Sequence, residues 1–374
     1  MKRKLIMAIL PSINGGGAER VIVNLLNNLD KDIFDCVLVT CCHGENYKSQ
    51  LNSNITLIQL NKSNSYKAIF MIINCIKRFN PDVILSAMTH INCITVIACK
   101  ISGYKGKIII SEHNTYTLNV MKEQHRLKRQ ALKFLIVPLY NKSSKIVFVS
   151  EGVKVDFYRN FKRIKSDLSN VIYNPVVTPE IDKLSQEEAN LNKDYDYIIA
   201  VGRLNIQKGF DTLLKVFKVI SSALPSYRLL ILGQGEELNN LKELACKLSL
   251  TEKVEFLGFQ DNPYKYMAAS KVFVLSSRWE GFGNVIVEAM ACGTPVVSFD
   301  CPNGPAEIIH DYEDGILVSN QDINHMADSI KKIIINTELH EHIRRNAKIR
   351  ANDFTVEKII KQYQDMINEV LGVI

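Results

Sequence analysis

Short apolar runs recur along the chain, and segments with helical spacing lie between them. In the first half, "KLIMAIL", "DCVLVT", "DVILSA", "GKIIIS", "KIVFVS" and "NVIYNPV" read as buried strands. The apolar positions of "AERVIVNLLNNL", "AIFMIINCIKRF" and "INCITVIACKIS" fit helices. The rhythm breaks at "TPEIDKLSQEEANLNKD", which is polar and lacks an apolar period. It restarts with strands "YIIAVGR", "RLLILG", "VEFLG", "VFVLSS", "PVVSF" and "GILV". Helices "GFDTLLKVFKVISS", "EELNNLKELACKL", "NPYKYMAAS", "NVIVEAMACG" and "PAEIIH" alternate with them, and a helix-rich tail follows. Strands that are apolar throughout, alternating with helices, predict parallel sheets covered on both faces. The pattern therefore predicts two α/β domains of similar size, 1–177 and 195–355, with 178–194 as the linker. A last helix, 356–374, is expected to pack back on the first domain. Two such domains are expected to face a central cleft at the carboxyl ends of their strands.

Composition agrees with this picture. A chain of 374 residues with 47% apolar content has material for two cores and is far from the disordered class. The net charge of +7 suits an anionic partner or a plain basic surface equally. The nine cysteines form no C-x-x-C pair and mostly sit in apolar runs, as small buried residues of a reducing cytoplasm do. The eight histidines show no H-E-x-x-H or zinc spacing. The start, "MKRKLIMAILPSINGGG", reads as a first strand ended by Pro11 rather than a signal peptide. No apolar run reaches the roughly 18 residues of a membrane span. Nucleic-acid binding is not expected, because no basic platform interleaved with aromatics appears.

Several segments could carry chemistry. Gly15–Gly17 follows a strand and opens a helix, where backbone N–H groups can face an anion. A tight turn and a ligand-facing loop explain that run equally well. Arg203 and Lys208 in "VGRLNIQKGF" stand between a strand and a helix, flanked by Gly202 and Gly209, which suits a diphosphate. His113 in "SEHN" ends a strand; such a histidine is either catalytic or a satisfied polar residue. In "SRWEGFGNVIVEAMACG", Glu280 lies in a loop with no helical neighbour to pair with, while Glu288 lies one turn into an apolar helix. A buried carboxylate needs donors, and a ribose diol supplies two. Glu280 could meet the hydroxyls of a second sugar, and the N–H groups of Phe282, Gly283, Asn284 and Val285 would face phosphate or sugar oxygens. The two carboxylates would then grip opposite ends of one nucleotide sugar.

The E-x7-E of Glu280 and Glu288, together with "GRLNIQKG", "GGGAER", "SEHN" and "CPNGPAEII", resembles family 4 retaining glycosyltransferases of the GT-B fold. The resemblance covers essentially the whole chain in the expected order. It is most similar to bacterial transferases that build capsule, exopolysaccharide, lipopolysaccharide O-antigen or lipid-linked oligosaccharide. It implies two Rossmann-like domains. It also implies catalytic roles at the sugar for His113 and Glu280, ribose binding by Glu288, and diphosphate binding by Arg203 and Lys208. The amides of Phe282 to Val285 would hold the donor sugar, Gly16 and Gly17 would shape the loop under the transferring bond, and Phe259 would contact the base. Asn284 occupies a variable site and is expected to tune sugar choice.

The implied reaction moves a hexose or N-acetylhexosamine from a nucleoside diphosphate, read as UDP, to a glycan or polyprenyl-diphosphate-linked acceptor. Neither cofactor nor metal is expected, since two cations already face the leaving group. "KEQHRLKRQALKFLIVPLY" carries Lys122, Arg126, Lys128, Arg129 and Lys133 ahead of an apolar end. It reads either as a solvated helix face or as a contact with an anionic membrane surface. The implied location is the cytoplasm, either free in it or peripheral on the cytoplasmic face of the inner membrane. A sugar-nucleotide epimerase or phosphorylase, and a non-catalytic nucleotide-sugar-binding subunit, are the other classes this pattern suits.

Overall fold

The computed structural model describes residues 3–121 and 126–373. The chain forms two compact units. The first runs through Pro175 and resumes at Val356; the second is Val176–Thr355. The first holds strands β1 (Lys4–Leu10), β2 (Phe34–Thr40), β3 (Thr56–Gln59), β4 (Val83–Ala87), β5 (Lys107–Glu112), β6 (Lys145–Phe148) and β7 (Ser169–Val171). They make one sheet in the order β3-β2-β1-β4-β5-β6-β7, every pair parallel. The second unit holds β8 (Asp196–Val201), β9 (Tyr227–Leu232), β10 (Val254–Gly258), β11 (Val272–Leu275), β12 (Val296–Asp300) and β13 (Ile316–Ser319). Its sheet is likewise all parallel, in the order β10-β9-β8-β11-β12-β13.

The strand order explains where chemistry belongs. Each sheet is wound outward from a central pair, β1 with β4 and β8 with β11, so the connections leave these pairs in opposite directions. A crevice opens at such a switch point, outside the carboxyl ends of the strands. Gly15–Gly17 follows β1, "GRLNIQKG" follows β8 and "SRWEGFG" follows β11. The glycine and charge motifs thus leave the central strands of their sheets, and "SEHN" leaves β5, beside β4.

Some features depart from the sequence pattern. Strand β3 was passed over because it is a short edge strand with no fully buried position. The helix Glu151–Asn160 was passed over because it is short and mostly polar on its surface. Within 178–194, a helix spans Glu180–Ser185 and buries Ile181, so this stretch is structured rather than a plain linker. The units divide just before it, after Pro175. The helix Val356–Leu371 places Ile359, Ile360, Tyr363 and Ile367 in one core with Ile22, Val23 and Leu26 of the first unit. At the edge of the second unit, the N–H groups of Val176 and Val177 both donate to Phe354 O, at 3.1 and 3.0 Å. Among the described residues, no helix is long and apolar enough to cross a membrane.

Candidate functional site

In the second unit, the loops after β8 and β11 are stitched together. Arg278 forks onto Asp211, at 2.9 and 2.7 Å, and donates to Ile206 O at 2.8 Å. Burial pushes the Asp211 carboxyl up, but the guanidinium outweighs it and holds the group below its ordinary range. Gln207 Nε2 donates to Trp279 O at 3.0 Å, and the Arg278 N–H to Gln207 O at 2.8 Å. Gly209, with φ +63°, is required at the junction: a Cβ there would stand 2.2 Å from Ser276 O.

The same stitching joins the two expected ligand-binding side chains to each other. Lys208 Nζ lies 2.6 Å from Glu280 Oε1, and Ser277 Oγ donates to that oxygen at 2.5 Å. The expectation that Glu280 lacks a pairing partner is therefore corrected. The cation comes from a loop 72 residues earlier, which spacing within one segment cannot reveal. Glu280 is 6% exposed, so this is a buried ion pair whose separation would leave an uncompensated charge.

The backbone around Glu280 is fixed by the "CPNG" segment. The Glu280 N–H donates to Pro302 O at 3.1 Å. Gly304, at φ +93°, lies so close to Phe282 that a Cβ would fall 1.9 Å from Phe282 O. The Phe282 ring is buried against Phe354, with centroids 5.4 Å apart at 67°, so its side chain serves packing. Gly283 adopts φ +105° and caps the helix Asn284–Ala291, which puts Asn284 and Val285 in its first turn. Glu288 is buried within that helix, 4% exposed. Arg203 is largely exposed, and its nearest carboxylate, Glu236, is 3.8 Å away, a loose pair that leaves the guanidinium unconstrained. Phe259, half exposed, stands one residue past β10 at the far edge of this sheet.

In the first unit, Gly16 caps the helix Gly17–Asn28. Its N–H donates to Glu19 Oε2 at 2.9 Å, and Ser12 Oγ donates to Glu19 Oε1 at 2.6 Å. The glycine loop is therefore pinned by a buried carboxylate of its own helix. Attention to the glycines alone missed Glu19, although a glutamate three residues past a helix cap is a known signal.

His113 directly follows β5, is buried, and has Nε2 2.9 Å from Ser111 Oγ. Burial lowers its pKa to about 4, so the imidazole is neutral at physiological pH. Next to it is a residue the sequence reading left unassigned. Glu112 is 1% exposed and accepts hydrogen bonds from Thr89 Oγ1 at 2.7 Å, Asn92 Nδ2 at 3.0 Å and the Tyr140 hydroxyl. Asn92 also donates to Ser111 O at 2.9 Å and accepts from Ser86 Oγ at 2.8 Å. The network ties β4, β5 and two helices together beneath His113. Met88, which precedes the helix Thr89–Ser102, takes φ +78°, a conformation that a side chain disfavours and that clusters at functional positions. A charged residue closing an apolar strand was the available signal for Glu112.

Burial raises the Glu112 pKa from 4.5 to about 7, against the pull of its donors. A carboxylate whose folded pKa exceeds its unfolded value contributes stability that is present below about pH 4.5 and lost as pH rises toward 7. His113 acts in the opposite sense: its contribution is present above 6.5 and lost as pH falls toward 4. Glu112→Gln should remove the first component only. Thermal denaturation from pH 5 to 8 should then show a smaller loss of stability with rising pH in the variant than in the parent; parallel profiles would contradict this.

Lys122 lies outside the described residues, as do the side chains of Arg126, Lys128 and Arg129 in the helix Arg126–Tyr140. Lys133 and Phe134 on that helix are exposed. Among the described residues, no three His, Cys, Asp or Glu side chains are grouped as a metal site requires.

Comparison with known proteins agrees with this architecture. Residues 182–350 match the family model "Glycosyl transferases group 1", and residues 15–179 match "Glycosyltransferase Family 4". A Campylobacter jejuni 4-alpha-N-acetylgalactosaminyltransferase, whose name gives a diphospho-undecaprenol-linked saccharide as acceptor, is 31% identical over 96% of this chain and 98% of its own. The amylovoran biosynthesis glycosyltransferase AmsD of Erwinia amylovora is 27% identical over 98% of this chain and 99% of its own. Among solved structures, Anabaena HepE in complex with UDP-glucose superposes with a TM-score of 0.80 at 22% identity, covering 98% of this chain and 100% of that one. The chain belongs to the family 4 glycosyltransferases of the GT-B fold, and is a glycosyltransferase.

Proposed function

We propose that this enzyme transfers a hexose or N-acetylhexosamine from UDP to a hydroxyl of a glycan or polyprenyl-diphosphate-linked acceptor in surface polysaccharide synthesis, with retention of configuration. The observation that carries the reading is the buried Lys208–Glu280 pair at the switch point of the second sheet, beside the start of the helix that contains Glu288. Lys208 and Arg203 face the diphosphate, Glu280 and the Phe282–Val285 amides hold the sugar, and Glu288 takes the ribose. Gly16, Gly17 and His113 serve the reacting side from the first unit, and Phe259 packs on the base. The bond from the sugar's anomeric carbon to the diphosphate breaks as the acceptor oxygen bonds to that carbon on the same face. The acceptor's proton passes to the departing diphosphate. Positioning and charge stabilisation are then the protein's contribution.

The lipid-linked acceptor named for the Campylobacter relative supports work at a membrane surface. The helix Arg126–Tyr140, basic in its first half by sequence, exposes Phe134 and Leu135, which suits an anionic surface.

The test is a screen of UDP sugars with lipid-linked and soluble acceptors, reading UDP release and the product's anomeric configuration by NMR. Release that depends on acceptor, with the donor's configuration kept, is expected. An inverted product would refute retention, and turnover of the sugar nucleotide without acceptor would point to an epimerase or phosphorylase. Activity should persist in EDTA, because Lys208 and Arg203 face the leaving group. Loss restored only by a divalent metal would refute that part.

A further inference from the structure

The hydrogen bonds around His113 determine which ring nitrogen carries the proton. Ser111 Oγ donates its one hydrogen to Ser86 O, 3.0 Å away. It therefore has only lone pairs to offer His113 Nε2, at 2.9 Å, so Nε2 must be the donor of that contact. A neutral imidazole with a proton on Nε2 has a bare lone pair on Nδ1. That nitrogen is buried and has no hydrogen-bond partner among the described residues, in a side chain 7% exposed. Burial disfavours a second proton on the ring, which removes the alternative in which both nitrogens donate.

We infer that Ser111 is a positioning residue that locks His113 as the neutral Nε2–H tautomer, so that Nδ1 acts as a hydrogen-bond acceptor for a hydroxyl of the sugar. The inference rests on the transferase reading above for its ligand. An acceptor nitrogen cannot bond a phosphate oxygen, which also only accepts, so His113 is excluded from the diphosphate and assigned to an O–H-bearing part of the substrate. Its one proton is committed to Ser111, which argues against a general-acid role, and burial makes the free Nδ1 a weak base. Ser111 lies in β5, two residues before His113, which follows the strand directly, and Asn92 holds the Ser111 carbonyl, so β5 fixes one side of the lock.

Long-range proton–nitrogen NMR on histidine-labelled protein reads the tautomer directly, with the His113 signal assigned by its loss in His113→Gln. The parent should show the Nε2–H pattern unchanged from pH 5.5 to 8. Ser111→Ala should admit the Nδ1–H form, and Ser111→Thr, which keeps the hydroxyl, should restore the parent pattern. Calorimetry with UDP and with UDP-glucose supplies the ligand reading. Ser111→Ala should leave UDP affinity intact and weaken the extra affinity conferred by the sugar about tenfold, the cost of one lost hydrogen bond. An Nδ1–H parent, or an unchanged tautomer in Ser111→Ala, would overturn the lock. Equal weakening of UDP and UDP-glucose would overturn the assignment to a hydroxyl. The Nε2–H pattern in a protein that transfers from no UDP sugar would uphold the lock and defeat the donor reading instead.

Discussion

Glu280→Gln is expected to lower sugar transfer by about 100- to 1,000-fold, the loss typical of one preorganised charged contact, while UDP affinity holds. The carboxylate sits in the loop after β11 with one oxygen already engaged by Lys208 and Ser277. That engagement fixes its direction, and a ligand meets an oriented group rather than a mobile one. The amide of glutamine keeps the size but not the charge. Lys208, whose side chain is 18% exposed, then loses its carboxylate partner, and part of any lost activity reflects a destabilised unit. Turnover of Glu280→Gln assayed well below its own melting temperature separates the two effects. It should stay low where the variant is fully folded. Full turnover there would mean that Glu280 acts through the fold alone.

Glu288→Gln is expected to weaken UDP itself by about 10- to 100-fold, because hydrogen bonds to a charged group are worth about 1.5–3 kcal/mol. This residue is buried in the first turns of a helix whose other buried side chains are apolar, Ile286, Val287, Ala289 and Met290. A polar ligand that reaches it finds a carboxylate held by the helix backbone and shielded from water, where its hydrogen bonds are strengthened. Calorimetry with UDP distinguishes the two glutamates. If Glu280→Gln and Glu288→Gln lose UDP affinity equally, the proposed division between sugar and ribose is wrong.

Much of the architecture was legible because it depends on local pattern. Runs such as "LIMAIL" and "VFVL" are apolar at every position only when both faces are covered, and that fact implies a parallel sheet with helices on each side. The motif loops were legible for the same reason, since glycines and charges interrupt an otherwise apolar text. What stayed hidden depended on residues far apart in the chain. The Lys208–Glu280 pair joins two loops, and neither loop contains the evidence for it. Glu112 was left unassigned next to a more conspicuous histidine; its donors come from Thr89, Asn92 and Tyr140. The helix Glu180–Ser185 was hidden by its polarity, for a single buried Ile181 produces no period.

The return of the chain to its first unit at Val356 has a consequence during synthesis. Ile359, Ile360, Tyr363 and Ile367 belong to the first core, yet they are made only after all of Val176–Thr355. At about 5–20 residues per second, that is a delay of roughly 10 to 40 seconds. When this interval ends the second unit has its whole sequence, while the first still exposes the apolar seat of a helix that does not yet exist. The part of the protein begun first is therefore the last able to finish, and the nascent chain is most vulnerable at Ile22, Val23 and Leu26. Pulse proteolysis of ribosome-stalled chains would show this as protection of the second unit before the first.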